Sequence, residues 1–226
     1  MPIGKTDVLA ALNDPTLQRL KFSIGQTMIG PDGFRDVHGA IANDRIAVVP
    51  SGSQNQDIAF YNMKTNAIEV PRKNPPLNLS DRAQLVHECV HAMNDLHMVN
   101  EVTLVEEAAA YLAQLSFMTL NMPPPIVPRP SPLDPRLGPL MRLMVACNDV
   151  AARYRLTEAA GFGASISAVD AFFLALRVRG VPAYARLGIY ERSNDWPGVP
   201  GGGMEDLRRV LRGARHQGRG QGPAIF

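Results

Sequence analysis

The stretch Leu79-Ser80-Asp81-Arg82-Ala83-Gln84-Leu85-Val86-His87-Glu88-Cys89-Val90-His91-Ala92-Met93-Asn94-Asp95-Leu96-His97 carries the organising signal of the chain. Pro75 and Pro76 end what precedes it, Ser80-Asp81 offers a cap and a first-turn acid, and the run predicts a helix reaching about Asp95 or His97. Within it, His87 and His91 stand four residues apart. They fall on one helical face, one turn apart, so both imidazoles can reach a single zinc ion. Glu88 is next to the first of them and can point at a metal-bound water and accept its proton. Residue frequencies give roughly 0.004 chance occurrences of this pattern in such a chain, so coincidence is a weak explanation. Its best version is a buried helix whose two histidines are merely hydrogen-bonded. The neighbours Leu85, Val86, Cys89, Val90, Ala92 and Met93 are apolar, as the lining of a dry pocket would be.

A third ligand has two sources. His97 follows His91 at the spacing of a third histidine in H-E-x-x-H-x-x-G-x-x-H, but Asn94 occupies the glycine position. His97 can ligate only if the chain turns sharply at Asn94, and asparagine tolerates the left-handed conformation that such a turn needs. The rival is Glu106-Glu107, on a second Ala- and Leu-rich segment that predicts a helix from about Glu101 to Leu120. If the two helices form an antiparallel hairpin turning near residues 98 to 100, equal rise puts His91 beside Glu107 and His87 beside Tyr111. Only one of two adjacent residues is expected on the inner face, which leaves the other on the exposed side. Two His and one Glu would leave a fourth zinc position open for water.

On these residues the sequence resembles the gluzincin zinc metallopeptidases, in which H-E-x-x-H is followed by a Glu-Ala-containing ligand segment on a second helix. The resemblance covers roughly residues 44 to 115 and implies a minimal zincin-like fold with His87, His91 and Glu107 as ligands and Glu88 as general base. The segment Glu107-Ala108-Ala109-Ala110-Tyr111-Leu112-Ala113 is also similar to small bacterial domains of unknown or toxin-like function. Glu106 and His97 remain alternative ligands. Asp95 is a candidate acceptor for the ring N–H of a ligand histidine, and Tyr111, Tyr154, Tyr184, Tyr190 and His216 are candidates to stabilise an oxyanion. Cys89 reads as a small buried hydrophobe, oxidation-sensitive only if exposed.

Outward from this centre, Val8 to Leu12, capped by Thr6 or Asp7, and the run restarting at Asp14-Pro15 read as short helices. From Ser23 to Pro71 turn formers separate the apolar runs Arg45 to Val49, Asp57 to Tyr61 and Ala67 to Val70, which predict a small antiparallel sheet, its last two runs a hairpin. Residues 123 to 139 hold eight of the 19 prolines and read as an extended connector. Leu140 to Arg155 and Ala164 to Arg179 have helical patterns, and a Gly/Pro-rich break leads to a short basic helix, Met204 to Arg215, and a tail.

The expected organisation is therefore a metallopeptidase core over 1–122, a connector over 123–139, helices completing the core over 140–196, and a basic C-terminal segment over 197–226. Across 226 residues, 23 Lys and Arg nearly balance 21 Asp and Glu, which disfavours a nucleic-acid partner; the arginines near the end are a weak footprint. The two cysteines, Cys89 and Cys147, are too few for a disulfide scaffold. No signal peptide or membrane span is evident, so cytoplasmic synthesis is expected, with later non-classical export left open. The reading is an α+β, mainly helical, zinc-dependent peptidase acting on peptide or protein substrates. The rival reading is a non-catalytic binding module in which zinc staples two helices.

Overall fold

Asn78 opens the central helix. Its Oδ1 accepts the Asp81 backbone N–H and its own N–H is accepted by Asp81 Oδ2, both at 2.9 Å, so two otherwise orphaned donors are satisfied reciprocally. The cap thus lies two residues earlier than Ser80, with Asp81 three positions inside. The chain is described by a computed structural model over residues 2–51, 59–122, 138–158, 163–188 and 191. Six helices are present among them: α1 (Lys5–Leu12), α2 (Pro31–Ala42), α3 (Leu79–Leu96), α4 (Thr103–Asn121), α5 (Pro139–Arg153) and α6 (Ala168–Arg179). The strands are β1 (Phe22–Ile24), β2 (Thr27–Ile29), β3 (Ala47–Pro50), β4 (Phe60–Asn62), β5 (Ala67–Val70) and β6 (Ala164–Ser165). The architecture is α+β with a helical majority.

The sheets depart from the antiparallel expectation. Among the described residues there are two, each of three strands, and both are mixed: order β2-β1-β6 with β1 and β6 parallel, and order β3-β5-β4 with β3 and β5 parallel. The hairpin β4–β5 is antiparallel, as its turn formers suit, but β3, which precedes it in the chain, pairs with β5 in parallel. β5 lies between β3 and β4, so both its edges are occupied.

Four further elements differ from the sequence reading. The stretch from Pro31 to Ala42 is helix rather than turn, because Pro31 suits the first helical position and Phe34, Val37, Ala40 and Ile41 bury one stripe. α1 is entered from Gly4, whose N–H is held by Asp7 Oδ2 at 2.9 Å, so Asp7 acts three residues inside the helix rather than as its cap. Asp14 does cap the next turn, but Pro15–Arg19 is a 3-10 helix. α6 begins at Ala168 because Ser167 caps it through the Asp170 N–H, which frees Ala164-Ser165 to pair with β1. The connector over 123–137, residues 159–162 and the basic segment beyond 191 lie outside the described residues.

α4 is the core of the molecule. It packs against α3, α5 and α6 and touches β1 and β2. Ala108, Ala109, Ala110 and Ala113 are all buried, and their small side chains let neighbouring helices approach on several sides. Phe34, Phe117, Leu85, Leu104, Leu112 and Met93 fill the spaces between helices. Each contributes about 1.5–3 kcal/mol by the area it removes from water. Among the described residues no helix is long and apolar enough to cross a membrane.

Candidate metal centre

α3 presents His87 and His91 toward α4, which answers with Glu107. His87 Nε2 lies 3.3 Å from Glu107 Oε2, and His91 Nε2 lies 3.6 Å from Glu107 Oε1. One ligand atom from each of the three residues falls within 4.8 Å of the others, close enough for a single ion. Glu88 is not part of this group.

The remaining ring nitrogens are already committed. His87 Nδ1 lies 3.1 Å from Gln114 Oε1, and His91 Nδ1 lies 2.6 Å from Glu106 Oε1. Each oxygen can only accept, so each imidazole carries hydrogen on Nδ1 and directs Nε2 toward Glu107. This is the way outer partners fix the tautomer of a metal-binding histidine. Gln114 was not singled out from sequence, although it follows Glu107 by seven residues and therefore shares its helical face. Glu106 is only 2% exposed, contrary to the expectation that one of the two glutamates faces solvent. That expectation assumed a wet side to α4, and neighbours enclose this part of it.

The residues fit a cation. Glu107 Oε2 is buried without a hydrogen bond of good geometry, as is Glu106 Oε2. The ion pairs of Glu106 and Glu107 among the described residues are with His87 and His91. Glu88 adds a third carboxylate nearby, and a divalent cation would balance this concentration of negative charge. Without metal, a proton takes the cation's place. Burial opposes a charged His91, but Glu107, Glu106 and Glu88 outweigh it and hold its pKa up at about 10. Burial likewise opposes an ionised Glu107, but His91 and His87, helped by the Tyr184 phenol, hold it down at about 2.

Glu88 is buried beside the cluster, and its Oε2 accepts the backbone N–H of Tyr61 at 2.8 Å. The Tyr111 ring stands edge-on to His87, centroids 4.6 Å apart, and its hydroxyl is 3.4 Å from that of Tyr184. Burial and the Glu107 charge raise the Tyr184 pKa, so its phenol stays protonated. Two of the proposed tyrosines are therefore at the cluster. Tyr154 is elsewhere, bonded to Asp170 and Ser167, while Tyr190 and His216 lie outside the described residues.

The other sequence candidates are placed differently. Asn94 stays inside α3, with its amide on the Thr27 hydroxyl, and the left-handed residue that ends the helix is Met98. The sharp turn that His97 required is thus absent, and its Nε2 pairs with Asp36 Oδ2 at 2.9 Å with the side chain 44% exposed. Asp95 does not reach a histidine ring; its Oδ2 accepts the Tyr61 hydroxyl at 2.6 Å. Cys89 is fully buried, and burial, with the Glu88 charge, raises its thiol pKa. Compared with protein-family models, with curated proteins and with solved structures, the chain matches none.

Proposed function

We propose that the chain is a zinc-dependent peptidase or closely related amide hydrolase, in which His87, His91 and Glu107 hold one zinc ion and Glu88 is the general base. The observation that carries the reading is the convergence of the His87, His91 and Glu107 ligand atoms within 4.8 Å, with Glu88 beside them and outside the donor set. Two imidazoles and one carboxylate suit zinc among divalent metals and leave a fourth position open. An antiparallel course of α3 and α4 accounts for the paired contacts at His91 and Glu107 and at His87 and Tyr111.

When bound, zinc supplies a Lewis acid that acidifies water and polarises a carbonyl. Glu88 takes the proton of the attacking water and passes it to the leaving amine. Its Oε2 is occupied by the Tyr61 N–H, which leaves Oε1 for the transfer. The Tyr111 hydroxyl, whose ring stands against that of His87, would donate a hydrogen bond to the developing oxyanion, while the Tyr184 phenol supports the charge on Glu107. Gln114 and Glu106 hold the two imidazoles in orientation.

The test is metal analysis of the purified full-length protein, followed by assay on a fluorescence-quenched peptide library with Glu88→Gln as control. The reading expects one zinc per chain in both proteins. It expects cleavage by the parent alone, a loss on the order of 10²–10⁴-fold being typical of a missing general base. Zinc without Glu88-dependent cleavage would leave a metal that staples α3 to α4. Absence of zinc binding would leave a histidine-lined core.

A further inference from the structure

Tyr61 contacts α3 twice. Its backbone N–H donates to Glu88 Oε2 at 2.8 Å, and its hydroxyl lies 2.6 Å from Asp95 Oδ2. The hydroxyl is also 2.8 Å from Asn66 Oδ1, but it has one proton to give, and the shorter, charge-assisted bond to the carboxylate takes it. Glu88 and Asp95 are seven residues apart, which is nearly two full turns and places them on almost the same side of α3, about 10.5 Å apart along the axis. The residue therefore spans the helix face with its main chain at one end and its phenol at the other.

β4 needs such an anchor. It is three residues long, pairs among the described residues only with β5, and leaves Phe60 54% exposed. Tyr61 sits opposite Ile68 in the antiparallel register, and its N–H is given to Glu88 instead of to β5. Sliding β4 by one residue would turn the Tyr61 ring out of the core, where it is now 3% exposed, and part its phenol from Asp95. The bond between phenol and Asp95 opposes that slide and any lift of the strand from α3.

Resting on the peptidase reading above, we infer that Tyr61 is a positioning residue for the general base: anchored by Asp95, it fixes one oxygen of Glu88 through its main-chain N–H and so orients the other toward the attacking water. Asp95 acts through Tyr61 and not through a ligand histidine. A base whose carboxylate rotates freely divides its time among orientations, of which few face the attacking water. A displacement near 1 Å costs up to about a hundredfold in rate.

Two measurements on the full chain test this. Amide hydrogen exchange at Tyr61, read by NMR, needs no substrate. The protection of this N–H is expected to fall at least about tenfold in Tyr61→Phe and in Asp95→Leu, and to be largely kept in Asp95→Asn, which retains an acceptor oxygen. On a quenched peptide cleaved by the parent, kcat should fall about tenfold in Tyr61→Phe and Asp95→Leu, with KM and zinc content unchanged. The double variant should be no worse than either single one, because both remove the same bond. Unchanged protection of the Tyr61 amide in Asp95→Leu, or additive losses of kcat, would overturn the proposal. A parent protein that binds zinc and cleaves no peptide overturns the peptidase reading and the role of Tyr61 with it, while the exchange result still reports whether Asp95 anchors Tyr61 against Glu88.

Discussion

Replacing the two adjacent glutamates of α4 separates a metal ligand from a residue that only orients one. Glu106 accepts the Nδ1–H of His91 at 2.6 Å, whereas Glu107 faces both Nε2 atoms. A hydrogen bond to a charged group contributes about 1.5–3 kcal/mol and one between neutral groups about 0.5–1.5 kcal/mol, so Glu106→Gln removes about 1 kcal/mol from the orientation of His91. At 1.4 kcal/mol per decade, zinc affinity falls about five- to tenfold. The loss of one carboxylate also weakens the hold on the competing proton of His91, which moves the result toward the smaller figure. Glu106→Ala leaves the imidazole N–H buried without its acceptor, a cost of about 1–3 kcal/mol and therefore up to roughly a hundredfold in affinity. Glu107→Ala removes one of three donors, and no stoichiometric zinc should remain after gel filtration. Competition titration against a chromophoric zinc chelator measures all four proteins. Retention of stoichiometric zinc by Glu107→Ala and its loss from Glu106→Gln would exchange the two roles and refute the geometry.

Four further outcomes follow. His97→Ala should bind zinc and cleave peptide as the parent does, measured by the same titration and assay, because His97 pairs with Asp36 away from the cluster. Zinc uptake at pH 7.5 should release about one proton, since His91 is held protonated in the metal-free chain and its Nε2 must be freed; titration calorimetry in buffers of different ionisation enthalpy counts it. In the metal-free protein the raised His91 pKa contributes stability that is complete below about 6.5 and lost as pH climbs through about 10, so chemical-denaturation stability should decline across that window. Gly25→Ala should destabilise by about 1–3 kcal/mol in thermal unfolding, because Gly25 has a φ of 59° and a Cβ there would overlap the Glu101 carboxylate that holds the Gln26 N–H.

Local signals are legible in the sequence itself. The four-residue spacing of His87 and His91 and the Ala-rich run after Glu101 each specify a helix from within about one turn of sequence. Equal rise along facing helices is enough to put His91 with Glu107 and His87 with Tyr111, and these pairs are in contact. What sequence did not show depends on distant neighbours. α2 contains Gly33 and Gly39, which argue against helix locally, yet Gly33 is where Met93 of α3 packs too closely for any side chain. The parallel pairs β3–β5 and β1–β6 join segments far apart in the chain, and alternation within a strand carries no information on the direction of its partner. The burial of Glu106 was signalled by apolar residues on all sides of α4, Leu104, Ala108, Ala109, Ala110 and Leu112, the mark of an enclosed helix. The link between Tyr61 and Asp95 leaves no periodic trace, since it joins a three-residue strand to a helix face.

The central claim is that His87, His91 and Glu107 coordinate one zinc ion with a position left open. X-ray absorption at the zinc edge on the zinc-loaded protein tests it most directly. The account predicts one zinc per chain, two imidazole nitrogens and carboxylate oxygen at about 2.0–2.2 Å, a further light atom from water, and no sulfur. A zinc–sulfur distance near 2.3 Å, or an unchanged spectrum in Glu107→Ala, would contradict it.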